Sequence, residues 1–114
     1  MEPTRDAILT QLRKGVVEYC ALAALRSGPT YGRELAERLG ASKVLLTSEG
    51  TLYPLLSRLR RQGWVSTSQR ASPVGPPRRY YELTPEGLAA LDAFTQAWTQ
   101  FSTDVHHTLQ EPTR

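Results

Sequence analysis

The feature that most restricts the fold is a short segment rich in proline and glycine between two runs of strand-forming residues. Residues 71–77 read Ala-Ser-Pro-Val-Gly-Pro-Pro, a composition that predicts a loop. The flanking runs, Trp64 to Gln69 and Arg78 to Leu83, predict two strands of a hairpin, with Tyr81 and Leu83 on one face and Tyr80 on the other. A hairpin this short is not stable alone, so it must pack on helices.

Two helices are predicted near the start of the chain. Apolar residues spaced three and four apart predict an amphipathic helix from Asp6 to Ser27, which Gly28-Pro29 ends. A second, shorter helix is predicted from Tyr31 to Leu39, with Thr30 as its N-terminal cap and Gly40 as its C-terminal stop.

A third helix is predicted from Ser48 to Gln62, and Gly63 ends it. Its buried stripe is formed by four leucines: Leu52, Leu55, Leu56 and Leu59. Pro54 fits only the first turn of a helix, so either the helix starts at Thr51 or one backbone hydrogen bond is lost.

The last helix begins at Thr84-Pro85-Glu86, which combines a capping hydroxyl, proline at the first position and an acid near the positive end of the helix dipole. Its apolar side chains recur at alternating spacings of three and four, the pattern of a helix that pairs with another helix. The residues expected in a dimer interface are Leu91, Phe94, Trp98, Phe101 and Val105.

The order of these elements predicts a mainly α fold with a small β-hairpin, the winged helix-turn-helix, followed by a C-terminal dimerisation helix. The expected boundaries are 1–83 for the winged helix-turn-helix and 84–114 for the dimerisation helix. In this arrangement the third helix enters the major groove of DNA, and the hairpin, or wing, lies against the backbone or in the adjacent minor groove.

Charge is segregated along the chain. Between Gly50 and Tyr81 there is no acid, and between Glu82 and Thr113 there is no lysine or arginine. The basic middle contains six arginines: Arg58, Arg60, Arg61, Arg70, Arg78 and Arg79. A basic middle and an acidic C-terminal part indicate two surfaces with different partners, of which the basic one suits DNA.

The side chains expected to contact DNA belong to the third helix and the wing: Ser48, Thr51, Tyr53, Arg58, Arg61, Arg78 and Arg79. Arg58 suits phosphates, and Arg58 and Arg61, three residues apart, are expected to share a side of the helix. Arg78 and Arg79 are neighbours on a strand and are expected to face opposite ways, so that at most one enters the minor groove unless the strand twists.

Other functions find little support in the sequence. Cys20 has no partner for an intrachain disulfide and its place on an apolar stripe indicates a core thiol, so a reducing cytoplasm is expected. His106 and His107 are adjacent and diverge on a helix, so no metal site and no cofactor are expected. The residues predict no catalytic constellation, no signal peptide and no membrane-spanning segment, so neither an enzyme nor a membrane partner is expected.

Three motifs in order resemble the PadR family of bacterial transcriptional regulators. They are Tyr31-Gly32-x-Glu34-Leu35, Gly50-Thr51-Leu52-Tyr53-Pro54-x-Leu56-x-Arg58-Leu59 and Gly75-x-x-Arg78-Arg79-Tyr80-Tyr81-x-Leu83-Thr84-Pro85-x-Gly87. The resemblance covers about residues 8–90 and adds Tyr31, Pro54 and Gly75 to the expected DNA-binding residues. Two positions depart from the family pattern: Arg79 stands where lysine is common, and Arg60 stands where an acid is common.

The resemblance implies a homodimer that binds a palindromic double-stranded operator and represses transcription. It also implies relief by a small aromatic or drug-like effector, because Trp98 lies eleven residues after Gly87, where drug-sensing members carry a ligand-stacking tryptophan. The implied effector site comprises Trp98, Phe94, Phe101, Leu12 and Val16. Two alternatives stay open: these aromatic residues are interface core alone, or the basic surface docks an acidic protein instead of DNA.

Overall fold

A computed structural model describes residues 4–112 of the chain. Its helices are α1 (Arg5–Arg13), α2 (Val17–Ala24), α3 (Gly32–Gly40), α4 (Leu52–Arg61) and α5 (Pro85–Gln110), and its strands are β1 (Thr30–Tyr31), β2 (Val65–Arg70) and β3 (Arg78–Leu83). The strands form one antiparallel sheet in the order β1-β3-β2. The predicted mainly α fold, with helices before a β-hairpin and a long helix after it, is confirmed, although four α-helices precede the hairpin where three were predicted.

The prediction of one continuous helix from Asp6 to Ser27 is wrong, because the chain breaks into α1 and α2 between Arg13 and Val17. Gly15 has a positive φ of 78°, a left-handed conformation that no helix continues through and that glycine adopts without steric cost. The Arg13 guanidinium fastens the end of α1 by donating from Nε to the carbonyl oxygen of Val44 at 2.6 Å.

The sequence analysis missed strand β1 and misassigned Thr30. Instead of capping a helix, Thr30 pairs with Tyr81 of β3, and its buried hydroxyl donates to the carbonyl oxygen of Gly28 at 3.1 Å. Helix α3 begins two residues later, at Gly32, and Tyr31 at its N-cap position makes no side-chain capping bond. Two residues are too few to show the alternation of a strand, so β1 can be recognised only by its pairing with β3.

The position of Pro54 is explained by where the third helix begins. A 3-10 turn at Glu49–Thr51 precedes helix α4, which starts at Leu52, so Pro54 lies in the first turn, where a missing N–H breaks no helical bond. Gly63, with a φ of 81°, ends the helix as predicted, and the Trp64 amide donates back to the carbonyl oxygen of Leu59 at 3.0 Å.

The core lies where α2, α3 and α4 meet the inner face of the sheet and the start of α5. Its most completely buried apolar side chains are Ala21, Leu22, Leu25, Leu35, Leu52, Leu56 and Leu59. Cys20 packs against this core, and burial raises the pKa of its thiol.

Helix α5 begins as predicted. The hydroxyl of Thr84 accepts a hydrogen bond from the Gly87 amide at 3.0 Å and donates one to the carbonyl oxygen of Gly63 at 2.7 Å, which ties the helix start to the end of α4. Leu91 is buried against the core, whereas the second half of the helix is largely exposed. Across residues 4–112, no helix combines the length and the apolar character needed to cross a membrane.

Candidate nucleic-acid interface

One side of α4 is buried and the other is polar and basic. The four leucines predicted to face inward are buried, with at most 5% of each exposed. Toward the wing, Ser57, Arg60 and Arg61 border a cleft of about 380 Å³ that Arg79 and Tyr81 close from the sheet. Ser57 and Arg60 were absent from the predicted contacts, although Ser57, four residues after Tyr53, lies on the same helix face by spacing alone.

Arg58, which the sequence analysis expects to share a side of α4 with Arg61, lies toward α2. Its Nη2 atom lies 3.5 Å from Oε2 of Glu18 on α2, and it borders a separate cavity with Thr51 and Pro54. Arg58 is half-exposed, so this ion pair leaves it open to an anion.

Tyr53, at the start of α4, uses both its ring and its hydroxyl within the protein. The hydroxyl donates to Oε1 of Glu49 at 2.6 Å, and the ring lies over Gly32, where an added Cβ atom would be 2.8 Å from Tyr53 Cε1. The hydrogen bond to Glu49, followed by burial and by the charge of Glu49, raises the pKa of Tyr53 to about 12. Glu49, which the sequence analysis did not single out, therefore holds Tyr53 against α3.

The hydroxyl residues before α4 are exposed. The backbone of Ser48 is extended. Its carbonyl oxygen accepts a hydrogen bond from Oγ1 of Thr51 at 2.8 Å, so the lone pairs of the Thr51 hydroxyl stay available as acceptors. The Thr51 proton is therefore committed to the turn.

The wing carries arginines on both faces of the sheet. Its tip is a loop at residues 71–77, where Gly75 has a φ of 86° and Val74 is 82% exposed. The Arg78 guanidinium lies over the ring of Tyr31 on the outer face, with Cζ 4.3 Å from the centroid, while Arg79 borders the cleft beside α4. The two side chains thus lie on opposite faces, as the alternation along a strand requires.

A second cleft joins these parts. Its volume is about 560 Å³, and Tyr31, Arg33, Tyr53, Arg78 and Arg79 border it together with Gly32, Glu37, Glu49 and Tyr81. Helix α3, the start of α4 and the base of the wing therefore present one continuous surface, on which three arginines outnumber two glutamates. We call this surface the basic cleft.

Comparison with known proteins identifies the family. The family model described as "Transcriptional regulator PadR-like family" matches residues 21–93. The chain belongs to the PadR family of transcriptional regulators.

Solved structures agree with this assignment. A PadR-like transcriptional regulator from Bacillus cereus is 38% identical with a TM-score of 0.81, and the match covers 90% of this chain and 99% of that chain. A PadR family transcriptional regulator from Eggerthella lenta is 30% identical with a TM-score of 0.81, covering 94% of this chain and 93% of that one. The fold is thus the winged helix of PadR-like regulators, and the family consists of regulators rather than enzymes.

A curated relative, a transcriptional regulator from Mycobacterium tuberculosis, is 41% identical over 58 residues. The match covers 51% of this chain and 53% of the relative, so the chain spans about half the length of the curated relative that it matches.

The C-terminal helix of this PadR protein carries a row of aromatic side chains that reaches into the winged helix. Tyr19 of α2 stacks on Phe94 with centroids 4.3 Å apart, and Phe94 stacks on Trp98 at 5.9 Å. Trp64 joins one end of the row at 5.9 Å from Tyr19, and Phe101 joins the other at 6.3 Å from Trp98. Tyr19 and Trp64 were not predicted for this site, because their partners are distant in sequence.

The predicted interface and effector residues occupy different environments. Leu91 is 2% exposed and belongs to the core of the chain itself, so the prediction that it lies in a dimer interface is wrong. At Leu91, α5 packs against the part of the chain from α2 to β3, which we call the head. Leu12 lies on α1, which has no buried residue, and Val16 lies at the junction of α1 and α2, one turn before Tyr19. The exposed apolar side chains beyond the head are Trp98, Phe101, Val105 and Leu109.

Proposed function

We propose that the protein is a homodimeric repressor that binds a palindromic operator in double-stranded DNA in the cytoplasm, with α4 in the major groove. The observation that carries this proposal is the basic cleft, in which the exposed start of α4 and the wing arginines form one surface. A helix with a polar, basic outer face and a buried leucine face is what a major groove accepts.

Dimerisation supplies the symmetry that a palindrome requires. The second half of α5 exposes four large apolar side chains, and α1 exposes Ile8 and Leu12. Apolar side chains at heptad spacing on a helix that extends beyond its own head support pairing with a second copy. Two heads held on one helical seam present two α4 helices to successive turns of the same DNA face.

The effector is proposed to be a planar aromatic molecule that stacks on Trp98. Trp98 is 43% exposed, and the parallel stack of Tyr19, Phe94 and Trp98 ends there, so another flat ring can extend the stack. Because Tyr19 belongs to the head, a ligand on Trp98 can favour one arrangement of the heads over another, provided that it binds the two arrangements with different affinities.

The DNA-binding proposal is tested by mobility shift on the DNA upstream of the protein's own gene. We expect a shift with this duplex that exceeds the shift with a scrambled duplex. Arg61→Ala and Ser57→Ala should weaken the specific complex most, because they remove the groove-facing side chains, and Arg58→Ala and Arg78→Ala should weaken binding to both duplexes. Arg26→Ala, which removes an exposed charge outside the basic cleft, is the matched control. If no duplex is shifted, DNA binding is contradicted and the alternative function is favoured, in which the basic surface docks an acidic protein.

The effector proposal is tested by tryptophan fluorescence in a Trp64→Phe variant, in which Trp98 is the one remaining tryptophan. Planar aromatic cations and neutral dyes should quench Trp98 emission and release the operator at the same concentrations. A Trp98→Leu variant should then keep DNA binding and lose release. Quenching without any effect on the DNA complex would contradict the effector proposal and would leave the aromatic residues a role in packing alone.

A further inference from the structure

Two arginines and two tyrosines pack against one another on the outer face of the sheet. Tyr31 of β1 pairs with Tyr80 of β3, and their rings meet edge to face with centroids 5.6 Å apart. The Arg78 guanidinium lies over the Tyr31 ring at 4.3 Å, and the Arg70 guanidinium lies over the Tyr80 ring at 5.0 Å. We call these four side chains the arginine–tyrosine ladder.

The ladder holds two like charges close together. Arg70 and Arg78 lie directly opposite each other across the hairpin, a placement that destabilises a sheet unless the charges find other partners. Each arginine instead leans diagonally onto a tyrosine of the neighbouring strand, where the negative face of the ring attracts it. Among residues 4–112, neither arginine has a carboxylate within ion-pair distance.

The chemistry of the ladder suits an anion with several acceptor oxygens. A guanidinium that covers a ring with its face keeps its N–H donors available, because they lie in its own plane, at its edges. Donors in this fork geometry match phosphate oxygens. The ladder stands at the base of the wing, and Tyr31 and Arg78 also border the basic cleft with Tyr53.

We propose that the ladder is a preformed seat for backbone phosphates of bound DNA, in which Tyr31 and Tyr80 position Arg78 and Arg70. The inference rests on the proposed function and deepens it. It assigns Arg78 to the DNA backbone rather than to the minor groove, because its guanidinium is held on the sheet face and not at the wing tip. It also adds Arg70, which no motif singled out, as a DNA-contacting residue.

The salt dependence of binding to a labelled mixed-sequence duplex tests the seat without knowledge of the operator. The logarithm of the association constant falls with the logarithm of the salt concentration by about 0.9 for each phosphate contact. We expect Arg70→Gln and Arg78→Gln each to reduce this slope by about 0.9 per subunit, or about 1.8 per dimer. Arg26→Gln, which removes the same charge from an exposed site off the ladder, should leave the slope unchanged.

The tyrosines are tested as positioning residues. Tyr31→Phe keeps the ring and should retain wild-type affinity, whereas Tyr31→Leu should weaken binding. In an Arg78→Gln background the Tyr31→Leu substitution should have no further effect, because the group that it positions is gone. A purely structural role of Tyr31 would weaken binding equally in both backgrounds.

The outcomes separate the seat from the function on which it rests. If the wild-type protein binds DNA and the slopes of Arg70→Gln and Arg78→Gln match the wild type, the seat is overturned and DNA binding stands. If Arg78→Gln instead lowers the preference for the upstream duplex over the mixed one, Arg78 reads bases and the seat is again overturned. If the wild type binds no duplex at any salt concentration, both proposals fail.

Discussion

Tyr53 illustrates how a side chain in a DNA-binding motif can serve the fold first. Its hydroxyl is bonded to Glu49 and its ring covers Gly32, so it connects the turn before α4 to the start of α3. Because α4 begins at Leu52, Tyr53 fixes the N-terminal end of the helix that we propose to enter the major groove. We infer that Tyr53 contributes to DNA binding through placement of α4.

The raised pKa of Tyr53 leads to a pH prediction. Its pKa is about 12 in the folded protein against an ordinary value of 10.0, so the stability that its neutral hydroxyl contributes is fully present below pH 10 and is lost between pH 10 and about 12. In a pH titration followed by tyrosinate absorbance, one tyrosine of the wild type should ionise later, that is at a higher pH, than the same tyrosine in Glu49→Gln. In Tyr53→Phe this late step should disappear. A late step that persists in Tyr53→Phe would contradict the assignment.

Gly87 of α5 lies tightly against the backbone that leads into β2. A Cβ atom at this position would clash with the carbonyl oxygen of Trp64 and would lie 2.9 Å from Cδ1 of Leu83. The carbonyl belongs to the backbone that leads into β2, and the Thr84 amide donates to it at 3.1 Å, so it cannot move without breaking that hydrogen bond. The family motif therefore contains glycine here for a steric reason.

Gly87→Ala should lower the free energy of unfolding by about 1–3 kcal/mol, the range for inserting a group into a packed site. Gly50→Ala is the matched control, because an added Cβ atom there meets nothing within 4 Å. Urea denaturation followed by circular dichroism measures both variants. Equal stabilities of the two variants would contradict the close contact.

At the scale of elements, α1 is attached to the head mainly through its last residue. None of its residues is buried, and Arg13 donates from Nε to Val44 and from Nη2 to Lys43, both backbone carbonyl oxygens of the loop before α4. Lys43 has a φ of 58°, a left-handed conformation that is unusual for lysine and that turns its carbonyl within reach of Arg13. The attachment therefore couples α1 to the loop that leads into α4.

Arg13→Ala should release α1 from the head. We expect faster amide hydrogen exchange throughout Arg5–Arg13 and a loss of about 1 kcal/mol of stability, the usual scale of a partly exposed hydrogen-bonded contact. Lys14→Ala, the substitution of an exposed neighbour, should leave both measurements at wild-type values. Unchanged exchange in Arg13→Ala would mean that a partner subunit, rather than Arg13, holds α1.

At the scale of the whole molecule, the chain is elongated because α5 extends past the head that it joins. The described residues span 62 × 32 × 21 Å, and the first half of α5 packs on α2 while the second half carries Trp98, Phe101, Val105 and Leu109 largely exposed. Leu109 is 77% exposed, a costly state for leucine in water. A second copy covering this face would relieve that cost.

If the protein is the proposed dimer, Phe101→Glu should make it a monomer at micromolar concentration, because the substitution places a carboxylate from each copy in an apolar interface. Gln100→Glu adds the same charge on the opposite side of α5 and should stay dimeric. Light scattering of the tag-free proteins reads the mass directly. A monomeric wild type, or a dimeric Phe101→Glu, would exclude α5 pairing and with it the operator symmetry.

Local signals in the sequence determined most elements of the winged helix. These signals each act over a few neighbouring residues, so the local structure follows from propensity and hydrogen bonding alone. They are the heptad spacing, the start of α5 at Thr84-Pro85, Gly63 and the loop at residues 71–77. The same holds for the basic face of α4, because a leucine stripe on one side leaves the arginines on the other.

The tertiary structure decided which side chains share a surface. Strand β1 exists only because β3 pairs with it, and Leu91 is buried only because α2 covers the start of α5. The ion pair of Arg58 with Glu18 and the diagonal lean of Arg70 onto Tyr80 depend on neighbours about ten or more residues away. Such pairs carry no periodic signal along the chain, because the free energy that forms them comes from packing between elements and not from the local backbone.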